Sequence, residues 1–159
     1  MRKYGAYGKI GPARGFTWDE VRSGDGVLPG ARYLRRRFRR QGRLLNKLRR
    51  EVRKQYGGAS KVKRVRIDVN SWYRTGAYNA TLPGAARFSQ HVAGRATDIN
   101  VTVIYHSGST TRLRPYDVAS IAERVRGFAR GGIGVYDKAH GYFTHLDHRP
   151  DGPARWLNG

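Results

Sequence analysis

Between Pro29 and Tyr56 the apolar residues Leu34, Phe38, Leu45, Leu48, Val52 and Tyr56 recur at steps of three and four, with one wider gap around Gly42. That rhythm matches the turn of an α-helix, so the stretch predicts one long helix or two abutting ones, with a single face in a core. Gly57 and Gly58 stop it. A stripe of this length needs a layer to cover it, and the rest of the chain offers strands. Val65, Ile67 and Val69 alternate with polar residues in VKRVRIDVNS, as do Ile99, Val101 and Val103 in DINVTVIYH. Each is the pattern of a half-buried strand.

GIGVY and YFTHLDH read as two further short strands, and HSGSTTRLRP as a hairpin or connecting loop. SWYRTGAYNATLPGAARF reads as loop. A second amphipathic helix is expected from Pro115 to about Arg130, with Gly131 and Gly132 after its end. Near the start, Thr17 and Glu20 have the spacing of a capping box on a short helical turn. Helices early, strands late and no βαβ rhythm predict an α+β fold: helices packed on a small antiparallel sheet. With 159 residues and no cysteine, one core suffices and disulfides or thiolate metal sites are excluded. We divide the chain into an extension, residues 1–28, packed on or near a single domain, residues 29–159, that includes the basic helix 29–56.

The net charge of +21 is uneven: residues 1–64 hold 20 Lys and Arg against 4 Asp and Glu, residues 65–159 hold 12 against 7. The helix carries RRRFRR and KLRREVRK on its polar faces. A solvated face does not need so many cations, so Arg35, Arg36, Arg37, Arg39, Arg40 and Arg43 are candidates for binding a polyanion such as nucleic acid, a teichoic acid or a membrane surface. No apolar segment follows the basic N-terminus Met1 to Ile10, and no run is long enough to span a membrane. We therefore expect a soluble chain without a signal peptide.

The chemistry concentrates in two segments. In SQHVAGRATD, His91 and Asp98 flank a glycine that permits a tight turn. Asp98 then opens a strand on whose polar face Asn100 and Thr102 follow. In YFTHLDH, His145 and Asp147 share one face while His148 points to the other. Nitrogen and oxygen ligands are what zinc takes where cysteine is absent, and a catalytic site uses three of them. His145 can supply the third, with Asp147 beside it as base or orienting group.

SQHVAGRATD also resembles the S-x-H-x-x-G-x-A-x-D signature of the zinc D-alanyl-D-alanine carboxypeptidases and related peptidoglycan endopeptidases, phage endolysins among them, whose fold is shared by hedgehog and lysostaphin-like enzymes. Ser89, His91, Gly94, Ala96 and Asp98 stand at the fixed positions. VNSWYRTGAYNA is similar to the Ser-x-x-Arg segment that precedes the signature, with Ser71 and Arg74. GGIGVY, GYFTHLDHR and GPARW are similar to the glycine turn, the H-x-D strand and the closing Arg-Trp of one branch. The resemblance implies His91, Asp98 and His145 as zinc ligands. It implies Arg74 as the cation on a substrate carboxylate or developing oxyanion, helped by Tyr142 or Tyr73, with Ser89 in support. Where many members carry a catalytic carboxylate, three residues before the last histidine, this chain has Tyr142. Asp147 is then the candidate general base or orienting group, with Asp137 and His140 in reserve.

The resemblance implies a zinc metallopeptidase cutting amide bonds of bacterial peptidoglycan stem peptides or cross-bridges. Such a protein would be phage-encoded, reaching the wall from the host cytoplasm through the lysis machinery or as part of a virion. The rival expectation is a basic polyanion-binding virion or structural protein, with an assembly partner and a structural or vestigial zinc site.

Overall fold

The computed structural model describes residues 11–158, so the reading of Met1 to Ile10 lies outside the described residues. Helix α1, Arg32–Gln55, is one continuous helix. It buries Leu34, Phe38, Leu45, Leu48 and Val52 as the periodicity predicts, and the gap in the stripe is filled by Gln41, Gly42 and Leu44. Gly57, in the left-handed region, turns the chain out of it. A short α2, Gly58–Lys61, leads into β1, Val62–Ser71. The expected loop then contains one helical element, α3, Gly76–Thr81, started by Thr75, whose hydroxyl accepts the Tyr78 N–H.

Strands β2, Ala96–Tyr105, and β3, Thr110–Arg112, form the hairpin that was one of two readings of HSGSTTRLRP. The second amphipathic helix is shorter than expected. It breaks into α4, Pro115–Ala122, and α5, Arg126–Ala129, because Val125 takes an extended conformation between them. Both keep the predicted stripe inward: Val118, Ile121, Ala122, Val125 and Phe128 are buried. After them come β4, Gly132–Tyr136, β5, Phe143–Asp147, and β6, Ala154–Asn158. The last had no counterpart in the sequence reading.

The fold is α+β. The sheet order is β1-β2-β5-β4-β6, with β3 on β2. Every pair is antiparallel except β4 with β6, which is parallel, so the sheet is mixed rather than wholly antiparallel. Helices α1 and α4 cover one face, and Phe38, Leu45, Leu48, Ile99, Val101, Ile121, Phe128 and Leu146 close a single core between them. Residues 11–28 join that core. Phe16, Trp18 and Val21 are buried, and Phe16 meets the Trp72 ring edge-on at 5.4 Å. Thr17 and Glu20 make the reciprocal bonds of a capping box on a 3₁₀ turn, Asp19–Val21.

One buried polar residue ties the layers together. Gln41, fully buried in α1, donates to Thr97 Oγ1 of β2 at 2.9 Å and to the Leu146 carbonyl of β5 at 2.8 Å. Its Oε1 lies 2.7 Å from His148 Nδ1. With both amide hydrogens given away, Oε1 must accept, so His148 carries its proton on Nδ1.

Candidate metal centre

The register places Ser71, Asp98, His145, Gly134 and Trp156 as successive cross-strand neighbours on β1, β2, β5, β4 and β6. Residues opposite one another across a sheet share a face. A single row therefore runs over the uncovered side of the sheet, with Asp98 and His145 at its middle. Gly134 is required there, because a Cβ would lie 2.3 Å from the Trp156 ring.

His91 reaches the row from the turn before β2. Gly94 makes that turn with φ +70°, a conformation open to glycine, and packs where a Cβ would come within 2.9 Å of Leu34. Ser89 Oγ accepts the His91 backbone N–H at 3.2 Å and so braces the turn. The result is a triangle: His91 Nε2 lies 3.2 Å from Asp98 Oδ1 and 3.2 Å from His145 Nδ1, and His145 Nδ1 lies 2.8 Å from Asp98 Oδ1. All three residues are buried.

Each corner is set by a partner outside the triangle. His91 Nδ1 lies 2.8 Å from the Trp72 carbonyl, so it carries the proton and leaves a lone pair on Nε2. His145 Nε2 lies 3.1 Å from Asp147 Oδ2, which leaves the lone pair on Nδ1. Arg74 Nη2 donates to Asp98 Oδ2 at 2.8 Å, turning Oδ1 inward, and Arg74 Nε is held by Ser71 Oγ at 3.1 Å. Three acceptors thus face one point. Lone pairs do not converge in a buried place without a cation or a proton among them.

The donor set fits a zinc ion. Tetrahedral bonds of about 2.0–2.1 Å need ligand atoms about 3.4 Å apart, a few tenths more than the spacings here. The protonation tendencies of Asp98 and His91 agree as well. Burial pushes the Asp98 carboxyl up, but His91 and His145 outweigh it and hold the group well below the usual carboxylate range. Burial holds the His91 imidazole down, towards the neutral form. For His145 burial acts in the same direction, yet the carboxylates of Asp147 and Asp98 prevail and raise it. An ionised carboxylate and neutral imidazoles are what metal binding demands.

The sequence of residues 38–147 matches the model of the peptidase M15 family, described as Peptidase M15. The match spans more than half of the chain and takes in every corner of the triangle.

The chain belongs to the peptidase M15 family.

No curated protein matches it, and no solved structure does. Membership makes this chain a metallopeptidase, and the triangle is where an M15 peptidase of this sequence can hold its metal.

The remaining residues singled out from the sequence fall into two groups around the M15 centre. Asp147 is adjacent but saturated. It is fully buried, and its oxygens accept from Gly132 N, Arg149 N, Arg149 Nε and Arg149 Nη2 as well as His145. Five donor groups fill its roughly four lone-pair sites. Burial pushes this carboxyl up, but His145 and Arg149 hold it well below the usual range. That geometry suits orienting His145 and does not suit carrying a proton. Tyr73 packs edge-on against Phe38 at 5.7 Å, next to Arg74 in the chain.

Tyr142, Asp137 and His140 lie between β4 and β5, and the group that could hold a metal is made without them. Tyr142 has φ 53° and lies under the Arg112 guanidinium, 5.4 Å from its ring centre. Phe143 and Thr144 stand between it and His145 in the chain. Asp137 and His140 bond each other at 2.8 Å in the turn between β4 and β5.

Arg36, Arg37, Arg40 and Arg43 line grooves beside the centre, whereas Arg35 turns towards the Gly30 carbonyl and Arg39 is outside the lining. Among the described residues no helix is long and apolar enough to cross a membrane.

Sequence reasoning missed the wall beyond His145. The Trp156 ring lies 5.0 Å from the His145 ring, its Nε1 donates to Tyr136 Oη at 3.0 Å, and Arg149 stacks over it at 5.4 Å. Tyr136 in turn stacks on Phe143 at 4.2 Å. The Arg-Trp pair of GPARW was visible as a resemblance, but only parallel pairing with β4 carries Trp156 to the histidine.

Proposed function

We propose that this M15 peptidase is a zinc-dependent hydrolase of peptidoglycan stem peptides or cross-bridges, of D,D- or L,D-peptidase type. One observation carries the reading: the convergent lone pairs of His91, Asp98 and His145, three donors rather than the four of a structural site. A zinc ion bound there supplies Lewis-acid polarisation of a carbonyl and a lowered pKa for a water molecule.

The protein's own groups do the rest. Asp147 fixes the His145 ring so that Nδ1 keeps its lone pair inward, and Arg149 holds Asp147 ionised. Ser71 and Asp98 aim Arg74, whose other N–H donors suit a substrate carboxylate or the oxygen that gains charge. Trp156, Tyr136 and Phe143 form an aromatic wall for the peptide beside His145. In the overall reaction one water is consumed, the amide C–N bond breaks, the acyl carbon keeps the hydroxyl and the leaving amine takes the proton. A phage origin, as endolysin or virion component, accords with the resemblance of the signature.

The test is mass analysis of purified peptidoglycan after incubation with the zinc-loaded chain. New free amine or carboxyl termini at one amide bond are expected, and they are expected to vanish with His91→Ala. No product from any wall type, or equal product from His91→Ala, defeats the reading.

A further inference from the structure

Behind the centre two cavities adjoin, of about 390 and 440 Å³, sharing Arg40, His148 and Arg149 in their linings. Arg36, Arg40, Arg43 and Lys47 enter from one side of α1, at the i, i+4, i+7 and i+11 spacing of a single helix face. Arg126 and Arg130 face them from α5 and its cap, and Arg95 and Arg149 complete the rim. These cations come from segments far apart in sequence, so the groove is a product of the fold and not of one basic run.

Neither lining contains a carboxylate. Asp151 is near enough to Arg95 and Arg149 to act on their charge, and Arg149 is bonded to Asp147. Arg36, Arg40, Arg43, Lys47, Arg126 and Arg130 form no ion pair among the described residues. Like charges at i, i+4 on a helix cost stability. A row of them held open across from two more is arranged for an external anion that extends over several charges.

We infer that this groove binds a linear phosphodiester polymer of the cell wall, a teichoic-acid-like chain. Phosphodiester spacing suits a string of guanidinium groups, each able to grip two oxygens. The linings hold no Phe, Tyr or Trp. Proteins that hold single-stranded nucleic acid add aromatic platforms for the bases, so a polymer without bases is the better occupant. The choice of a wall polymer rests on the peptidase reading above. The groove's affinity for phosphate chains does not.

The experiment is equilibrium binding of the full chain to fluorescent poly(glycerol phosphate) and to an oligothymidylate of equal phosphate count, across a salt series. It needs no turnover, so it succeeds or fails independently of hydrolysis. For the glycerol polymer, Arg43→Gln/Arg126→Gln/Arg130→Gln is expected to weaken binding by about tenfold or more and to lower the slope of log K against log salt by about 2–3. Arg50→Gln/Lys63→Gln/Arg64→Gln, the same charge change at exposed positions off the groove, is expected to change it less than about threefold. Equal losses from both triple variants reduce the effect to net charge and overturn the proposal. So does tighter binding of the oligothymidylate with the glycerol polymer insensitive to the groove variant, which would make the groove a nucleic-acid site.

Discussion

His145 Nε2 lies 3.1 Å from Asp147 Oδ2, two residues along the same strand, and that bond decides which nitrogen of His145 faces His91 and Asp98. A carboxylate behind a ligating imidazole fixes its tautomer and raises its basicity.

Replacing Asp147 by Asn should therefore act on the metal before it acts on anything else. The amide can present its nitrogen or its oxygen to His145 and frees Arg149. Zinc affinity of Asp147→Asn should fall by about 10–100-fold, measured by competition with a chromophoric chelator. Unchanged affinity would remove the orienting role.

Metal should also stabilise the fold, since the triangle exists only when β2, β5 and the Ser89–Gly94 turn are assembled. At a free zinc concentration of about 100 times Kd the gain is about 2.7 kcal/mol, enough to raise Tm by about 5–10 °C in a chain of this size. Thermal unfolding with and without chelator measures it. His91→Ala should bind less than one equivalent and show no such rise.

Gly134 sets the distance between His145 and Trp156. A methyl group there would meet the indole at 2.3 Å, so Gly134→Ala must push Trp156 aside or spread β4 from β6. Overpacking of this kind costs about 1–3 kcal/mol. If the aromatic wall holds substrate, KM should rise more than kcat falls. Steady-state kinetics on a defined peptide resolves the two.

His148 makes stability depend on pH. Its ring is buried, with Gln41 on one nitrogen, Arg37 and Arg40 on α1, Arg95 before β2 and Asp147 beside it. Burial first, then Arg40 and Arg95, lower its pKa to about 4. The unfolded chain, with a pKa near 6.5, takes up a proton first as pH falls. Stability from this residue is thus full above about pH 6.5, declines between 6.5 and 4, and is lost by about 3 kcal/mol below that. Urea titrations at pH 7 and pH 4.5 should show a smaller drop for His148→Gln than for the parent chain. Equal drops would place the titration elsewhere.

Much of this protein is written in local patterns. The three-and-four rhythm of Leu34 to Val52 determines α1, and alternation determines β1 and the buried side of β2. The spacing within SQHVAGRATD and FTHLD marks His91, Asp98 and His145 as residues that could share an ion. Each of these follows from helical or strand geometry within a few residues, which neighbours in the chain specify by themselves. The break of the second helix at Val125, the strand β6 and its parallel pairing were not legible, because they depend on what packs across from them.

The same limit holds in the site. Whether Asp147 carries a proton or orients a ring depends in part on Gly132, whose N–H reaches it only after β4 and β5 pair. Trp156 reaches His145 through a register set between β4 and β6, and the cationic groove exists because α5 faces α1. Sequence determined which side chains were present and which face of their own element they would take. Tertiary structure alone decided which faces met, since cross-strand register and helix docking are settled by burial of the whole core rather than by any short stretch of chain.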